Sequence, residues 1–224
     1  MRVVIRIGGS VVASPPNPQL IQKYAEVFRI LRAQGHELVV IVGGGAPARQ
    51  YIQLAKEMGL TEQEQDEAAI SVSRLFAQLL AMKVGGLNWK TVPTSLNTVL
   101  ELLGERGIVV MGGLKPGMTT DTVAAMAASQ VGAELIVKAS DQDGVYTKDP
   151  KKFTDARKID KLSFDDLSQL MEQDRHKAGI HQIIDPEAIR ILKTERIKTI
   201  IVNGSKPENL VAALKGEKVG TVIQ

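Results

Sequence analysis

MRVVIRIGGS VVASPPNPQL IQKYAEVFRI LRAQGHELVV IVGGGAPAR (1–49) holds the pattern that decides the fold. RVVIRI (2–7) is a short β-branched run of the kind that forms a buried strand. LIQKYAEVFRIL then sets Leu20, Tyr24, Val27, Phe28 and Leu31 on one helical face. ELVVIV (37–42) is a second strand, and a helix follows from about Pro47. A strand, a helix and a strand in that order make a crossover unit, and such units build parallel sheets.

The same alternation continues along the chain. Residues 62–83 read as a long helix with Ala69, Ser73, Phe76, Leu80 and Lys83 roughly in line. GIVVMGG (107–113) is a strand, 119–131 a helix and AELIVKAS (133–140) a strand. Residues 185–195 are helical, IKTIIVNG (197–204) is a strand, and a short helix and VGTVIQ close the sequence. Residues 141–163 are polar and irregular, a loop or small hairpin of the sort that carries function. The fold class expected is therefore α/β, with a mostly parallel sheet covered by helices on both faces.

Composition narrows the function. The chain has 224 residues, 44% of them hydrophobic, which suits one α/β domain. Aromatic residues are only 4%, too few for a platform that stacks single-stranded nucleic acid. The net charge is +3 without a basic run, so no nucleic-acid partner is expected. Cysteine is absent, which removes disulfides and thiolate metal sites. The three histidines, His36, His176 and His181, lack metal-ligand spacing, and no protein metal site is expected. Arg6 interrupts the first apolar run, and no later run approaches the ~18 residues of a membrane span. A cytoplasmic chain without a membrane partner is the expectation.

Three glycine-rich turns each follow a strand: Gly8-Gly9-Ser10, Gly43-Gly44-Gly45 leading to Arg49, and MGGLKPGMTTD (111–121). Ligands of open α/β sheets bind at that strand edge, and glycine lets backbone amides approach an oxygen-rich ligand. The third turn opens a helix, where exposed N–H groups attract phosphate. Gly112 and Gly117 have the spacing of a P-loop, but Met118 fills the lysine position, so a P-loop is rejected. Gly43-x-Gly45-x-x-Ala48 matches a dinucleotide fingerprint on paper, yet the region about 20 residues on reads as helix rather than an acid-bearing strand end. An NAD-dependent dehydrogenase is thereby reduced to a lesser alternative. VKASDQDGVYTKDP (137–150) adds Lys138, Ser140, Asp141, Asp143, Tyr146 and Asp149 after a buried strand. Asp143 reads as a turn former and Tyr146 as either core or a cover for a purine. Arg49 and Arg74, taken singly, read as solvated arginines.

Taken together, IGGS, VGGGAPAR, MGGLKPGMTTD and SDQDGVYTKDP, with AGIHQIIDPEA (178–188), resemble the amino-acid kinase superfamily, and within it the UMP kinases of the archaeal type. The resemblance runs from Arg2 to the last strand. It implies a three-layer αβα sandwich, transfer of the ATP γ-phosphate to UMP with Mg²⁺, and a homohexamer. It implies one domain over 1–224, its nucleoside-monophosphate part roughly 1–135 and its ATP part roughly 136–224. Residue by residue, Gly9 and Ser10 match the ATP-phosphate turn, Gly44 a UMP contact, and Gly45 and Arg49 contacts at the phosphate junction. Asp66 matches the acid that holds the UMP ribose. Leu114, Lys115, Pro116, Gly117, Met118, Thr119 and Thr120 match the loop that cradles UMP. Ser140, Asp141, Tyr146 and Asp149 match the adenine and ribose pocket. Arg6 stands where many members carry a lysine that steadies the migrating phosphoryl group, Phe76 where asparagine is usual, and Ala69 where glycine is frequent.

The chemistry is consistent with that resemblance. A phosphate monoester has its second pKa near ~6, so UMP attacks as a dianion and no general base is required. What remains is alignment and charge neutralisation, for which Arg6, Lys138 and Mg²⁺ are the candidates. Asp121 is expected to orient a cation or Mg²⁺ at the transfer point, or else only to favour the helix dipole. In the first case Asp121→Asn lowers turnover strongly and leaves the melting temperature nearly unchanged. A non-catalytic nucleotide-binding or storage relative, or a superfamily kinase acting on another acceptor, are the alternatives.

Overall fold

A computed structural model describes residues 1–85, 92–175 and 183–224. His176, His181 and the first part of AGIHQIIDPEA lie outside the described residues. The seven-stranded sheet has the order β3-β2-β1-β4-β8-β9-β7. Its parallel centre comprises β1 (Arg2–Ile7), β2 (Glu37–Val42), β3 (Ile108–Met111), β4 (Leu135–Ser140) and β8 (Lys198–Asn203). β9 (Thr221–Ile223) runs antiparallel to β8 and pairs in turn with β7 (Lys161–Leu162). The 141–163 stretch does contain a small hairpin, β5 (Val145–Tyr146) against β6 (Lys158–Ile159).

Why the sheet is parallel and central follows from its side chains. Val3, Ile5 and Ile7 of β1 enter one apolar cluster while Val4 enters the other. Leu38, Val40 and Val42 of β2 divide from Val39 and Ile41 in the same way. Both faces are dry, so nearly every position is apolar, as a parallel sheet requires. Each fully buried Val or Ile contributes roughly 1.5–3 kcal/mol over an exposed one.

One face is covered by α2 (Pro18–Ala33), α4 (Glu62–Val84) and α9 (Glu208–Leu214). The other is covered by α5 (Leu96–Arg106), α6 (Thr120–Val131), α7 (Phe164–Arg175) and α8 (Pro186–Glu195). This is the three-layer arrangement expected. Local chemistry starts two of these helices: Asn17 caps α2 ahead of Pro18, and Thr61 with Glu64 forms a capping box on α4. The α4 stripe differs from the sequence reading at both ends: Ala69 is half-buried and Ile70 takes the buried position. Ser73, Phe76 and Leu80 are buried, but Lys83 is exposed and Val84 takes the inner position.

The chain goes from β1 to β2 on one side and later returns to place β4 on the other. That reversal, between β1 and β4, is the switch point where an open α/β sheet forms a crevice. Among the described residues no helix is long and apolar enough to cross a membrane.

Candidate functional site

The first two glycine turns touch backbone to backbone. A Cβ on Gly9 would stand 2.1 Å from the Gly45 nitrogen, and one on Gly43 would stand 2.7 Å from the Gly9 nitrogen. Gly45 also has φ +62°, a conformation costly for any other residue. Ser14 holds the junction: its hydroxyl accepts from the Ala46 N–H at 2.6 Å and donates to the Gly9 carbonyl at 3.1 Å. Gly45 opens α3 (Gly45–Glu57), so the contact fixes where that helix begins.

The third turn is held by α4. Ser73 Oγ accepts from the Gly113 N–H at 2.8 Å, and a Cβ on Gly112 would lie 2.6 Å from the Arg74 nitrogen. Arg74 donates to the carbonyls of Gly113 (3.0 Å) and Leu114 (2.7 Å). Asp66, one helical stretch earlier, accepts from the Gly117 N–H at 2.7 Å. Arg74 is therefore a clamp on the loop rather than a solvated arginine. Asp66 has joined the same loop, although 51 residues separate the two in sequence. Phe76 is buried in the core, so the departure from asparagine there is met by packing.

Charge gathers where β1, β4 and α6 meet. Arg6 and Lys138 are opposite one another in the β1–β4 register, and like charges so placed repel. Asp121, in the first turn of α6, lies between them. Lys138 Nζ donates to Asp121 Oδ2 at 2.6 Å. Arg6 Nε lies 2.9 Å from Asp121 Oδ1 as an ion pair, off the line of a hydrogen bond, and Nη2 donates to Thr120 Oγ1 at 2.9 Å. The Ile183 carbonyl accepts a further bond from Lys138.

Burial pushes the Lys138 ammonium down to about 8, against the upward pull of Asp121. Burial pushes the Asp121 carboxyl up, but the Arg6 and Lys138 cations and the bond from Lys138 overcome it and hold the group below its usual range. Asp121 thus orients two side-chain cations. Both of its oxygens are engaged, so its replacement is expected to lower the melting temperature as well as turnover. Without the acid, the buried Lys138 cation would face the half-buried Arg6 cation.

A cleft of about 660 Å³ opens over this cluster. Gly9, Ser10, Gly44, Gly45 and Arg49 line one rim, Arg6, Thr120, Asp121 and Lys138 the floor, and Ser140 and Asp141 the other rim. Arg49 makes no hydrogen bond or ion pair with a described residue. Leu114, Lys115, Pro116, Gly117, Met118 and Thr119 do not line this cleft. Leu114 and Met118 pack on the core beside it, while Thr119 caps α6 by accepting from the Asp121 and Thr122 N–H groups.

Tyr146 and Asp149 are likewise off the cleft wall. Tyr146 is half-buried in the hairpin opposite Lys158. Asp149 is buried and accepts from the Lys151 N–H at 2.9 Å, a turn-forming bond. Gln142, Lys151 and Ile183 also line the cleft, none of them marked by a sequence motif, and so does Gly144, which with Asp143 reads in sequence as a turn. Lys151 reaches Asp141 at 3.0 Å across the mouth. Asp185 and Ser14 were also missed. Asp185-Pro186 reads as a helix start, but its contacts across to α6 depend on tertiary packing. Among the described residues no group of three or more His, Cys, Asp and Glu side chains is placed to hold a metal ion. The 62–84 region is helix, so the acid required of a dinucleotide site has no strand end to occupy.

The comparisons with known proteins agree with this geometry. A model described as the amino acid kinase family matches residues 1–203. The uridylate kinase of Methanothermobacter thermautotrophicus is 39% identical over 100% of this chain and 99% of its own length. That of Methanocaldococcus jannaschii is 39% identical over the whole of both. The crystal structure of the uridylate kinase from Archaeoglobus fulgidus covers 100% of both chains at 38% identity with a TM-score of 0.90. The UMP kinase of Bacillus anthracis, 23% identical with a TM-score of 0.82 over 100% of this chain and 95% of its own, shares the fold. With the sheet, the three turns and these matches in agreement, the chain belongs to the amino acid kinase family.

Proposed function

We infer that this chain is a UMP kinase, transferring the γ-phosphoryl group of ATP to UMP to give UDP and ADP. The observation that carries the reading is the Arg6–Asp121–Lys138 cluster on the floor of the cleft. It occurs in a chain that matches relatives named uridylate kinase along its whole length. In the reaction a phosphate oxygen of UMP bonds to the γ-phosphorus, the bond from that phosphorus to the β–γ bridging oxygen breaks, and ADP leaves. UMP is already a dianion, and no described histidine lines the cleft, so no base is assigned.

The work left to the protein is electrostatic. Lys138 and Arg6 stand where two anions must be brought together, and fixed cations in a dry site stabilise charge on the moving group. The Arg49 guanidinium, without a partner among the described residues, and the amides of Gly9, Ser10 and Gly45 supply further positive potential for the donor phosphates. Mg²⁺ in this reading arrives on the donor as MgATP, carried by its phosphates. In this reading roughly residues 1–135 hold UMP, with Asp66 and the 114–120 loop on its nucleoside, while Gly9, Ser10, Gly45 and Arg49 reach the donor phosphates; roughly residues 136–224 hold the rest of ATP, with Tyr146 and Asp149 beyond the triphosphate.

A coupled assay offering ATP and Mg²⁺ with each nucleoside monophosphate tests the assignment. UMP is expected to exceed AMP and GMP by about 100-fold or more in kcat/KM, because a site that hydrogen-bonds one base leaves polar groups unpaired with another. Nucleotide binding without ADP formation for any acceptor would replace this reading with a non-catalytic relative.

The reading extends to assembly and location. Tyr51 and Leu54 on α3, with Met58 at its C-cap, form an exposed apolar row, and Leu75, Leu79 and Met82 form one on α4. Such rows suit burial against further copies. A homohexamer is the proposed state, read by sedimentation as a species near six times the 24.2 kDa chain; a monomer at micromolar concentration would contradict it. The cytoplasm, where nucleotide pools are held, is the proposed compartment.

A further inference from the structure

Asp185 carries more than a helix cap requires. Its Oδ1 accepts from the Ala188 N–H at 2.9 Å, which caps α8, and also from Thr122 Oγ1 at 2.8 Å. Its Oδ2 accepts from Thr119 Oγ1 at 2.5 Å. Both threonines belong to the start of α6, where Thr120 and Asp121 meet Arg6 and Lys138. Two residues before Asp185, the Ile183 carbonyl receives Lys138 itself. The segment 183–185 therefore grips both halves of the charge cluster from behind.

Capping and packing alone do not explain the choice of residue. One side-chain oxygen suffices for a cap, and asparagine caps as well as aspartate. A carboxylate that is only 8% exposed pays a desolvation penalty that a neutral cap avoids. Asp185 makes no direct ion pair with a described residue, yet its charge acts on Lys138, which also faces Asp121 and Arg6. Asp185 itself does not line the cleft.

We propose that Asp185 is a positioning residue for phosphoryl transfer, holding the first turn of α6 in place against Arg6 and Lys138 without touching either nucleotide. The proposal rests on the UMP kinase reading. The test is steady-state kinetics of the whole chain with ATP, Mg²⁺ and UMP, comparing Asp185→Asn, Thr122→Val and Thr122→Ser with the unaltered protein.

Asp185→Asn is expected to lower kcat about 100-fold, as misplacement of about 1 Å does, with both KM values changed by less than about threefold. The alkaline limb of its kcat/KM profile moves to lower pH, because Lys138 loses a nearby acid. Thr122→Val also loses kcat, whereas Thr122→Ser, which retains the hydroxyl, keeps it. This pair carries the test should Asp185→Asn fail to fold. An Asp185→Asn enzyme with unaltered kcat and pH profile, a loss confined to KM, or equal Thr122→Val and Thr122→Ser enzymes would overturn the proposal. An unaltered chain inactive on UMP would instead overturn the function on which it rests.

Discussion

Asp121→Asn is expected to cut kcat about 1000-fold, in the upper range for loss of one preorganised electrostatic group, and to destabilise the fold by about 3 kcal/mol. The two effects share one cause. Arg6 and Lys138 are neighbours in register on adjacent strands, and Asp121 is the acid paired with both. Removing its charge leaves the phosphoryl group without an oriented pair of cations and leaves the cations without their shared ion-pair partner.

The loss of stability has a pH signature. Lys138 in the folded chain titrates at about 8, against 10.5 for the free side chain. Between those values the unfolded chain binds more protons, so this group's contribution to stability rises with pH. In Asp121→Asn the folded value falls further, and the window opens at lower pH. Thermal melts from pH 6 to pH 10 are therefore expected to show the deficit shrinking as pH rises. A constant deficit would mean that Lys138 is not the group responsible.

Lys138→Met is expected to lower kcat about 100-fold or more while costing less stability than Asp121→Asn, because Asp121 retains its pair with Arg6. The pH profile separates this lysine from its neighbours. With UMP fully ionised above pH 7, kcat/KM of the unaltered chain is expected to fall on an alkaline limb near pH 8, reporting Lys138 in the free enzyme. The limb of kcat belongs at higher pH, because bound phosphates favour the ammonium form. Lys138→Met should lack the limb. Its persistence would assign the ionisation elsewhere.

Fold and site differ in how far the amino-acid sequence discloses them. β1, β2, α4 and β4 are legible within a few residues, because apolar runs of period two or 3.6 follow directly from which faces are buried. The local signs of α5 and α7 are Ser95 capping α5 and Ser163 with Asp166 at the start of α7. The reversal of β9 against β8 had no local sign, because strand direction is set by the connection and the sheet edge. The glycine turns were legible as a ligand edge, since glycine after a buried strand has few other uses in number. That Gly9 and Gly45 touch was not, nor that Arg6 and Lys138 share a register. Both facts arise from β1 lying between β2 and β4. Asp185 was hidden for the same reason: α8 meets α6 only once the sheet has formed.

The central claim is that donor and acceptor phosphates meet over Arg6, Asp121 and Lys138, between the glycine turns. A crystal structure of the chain with UMP and a non-hydrolysable ATP analogue reads this directly. The γ-phosphate is expected within hydrogen-bond distance of Lys138 and Arg6, with the UMP phosphate in line beside Thr120. Phosphates bound away from these side chains, or on opposite faces of the sheet, would contradict it.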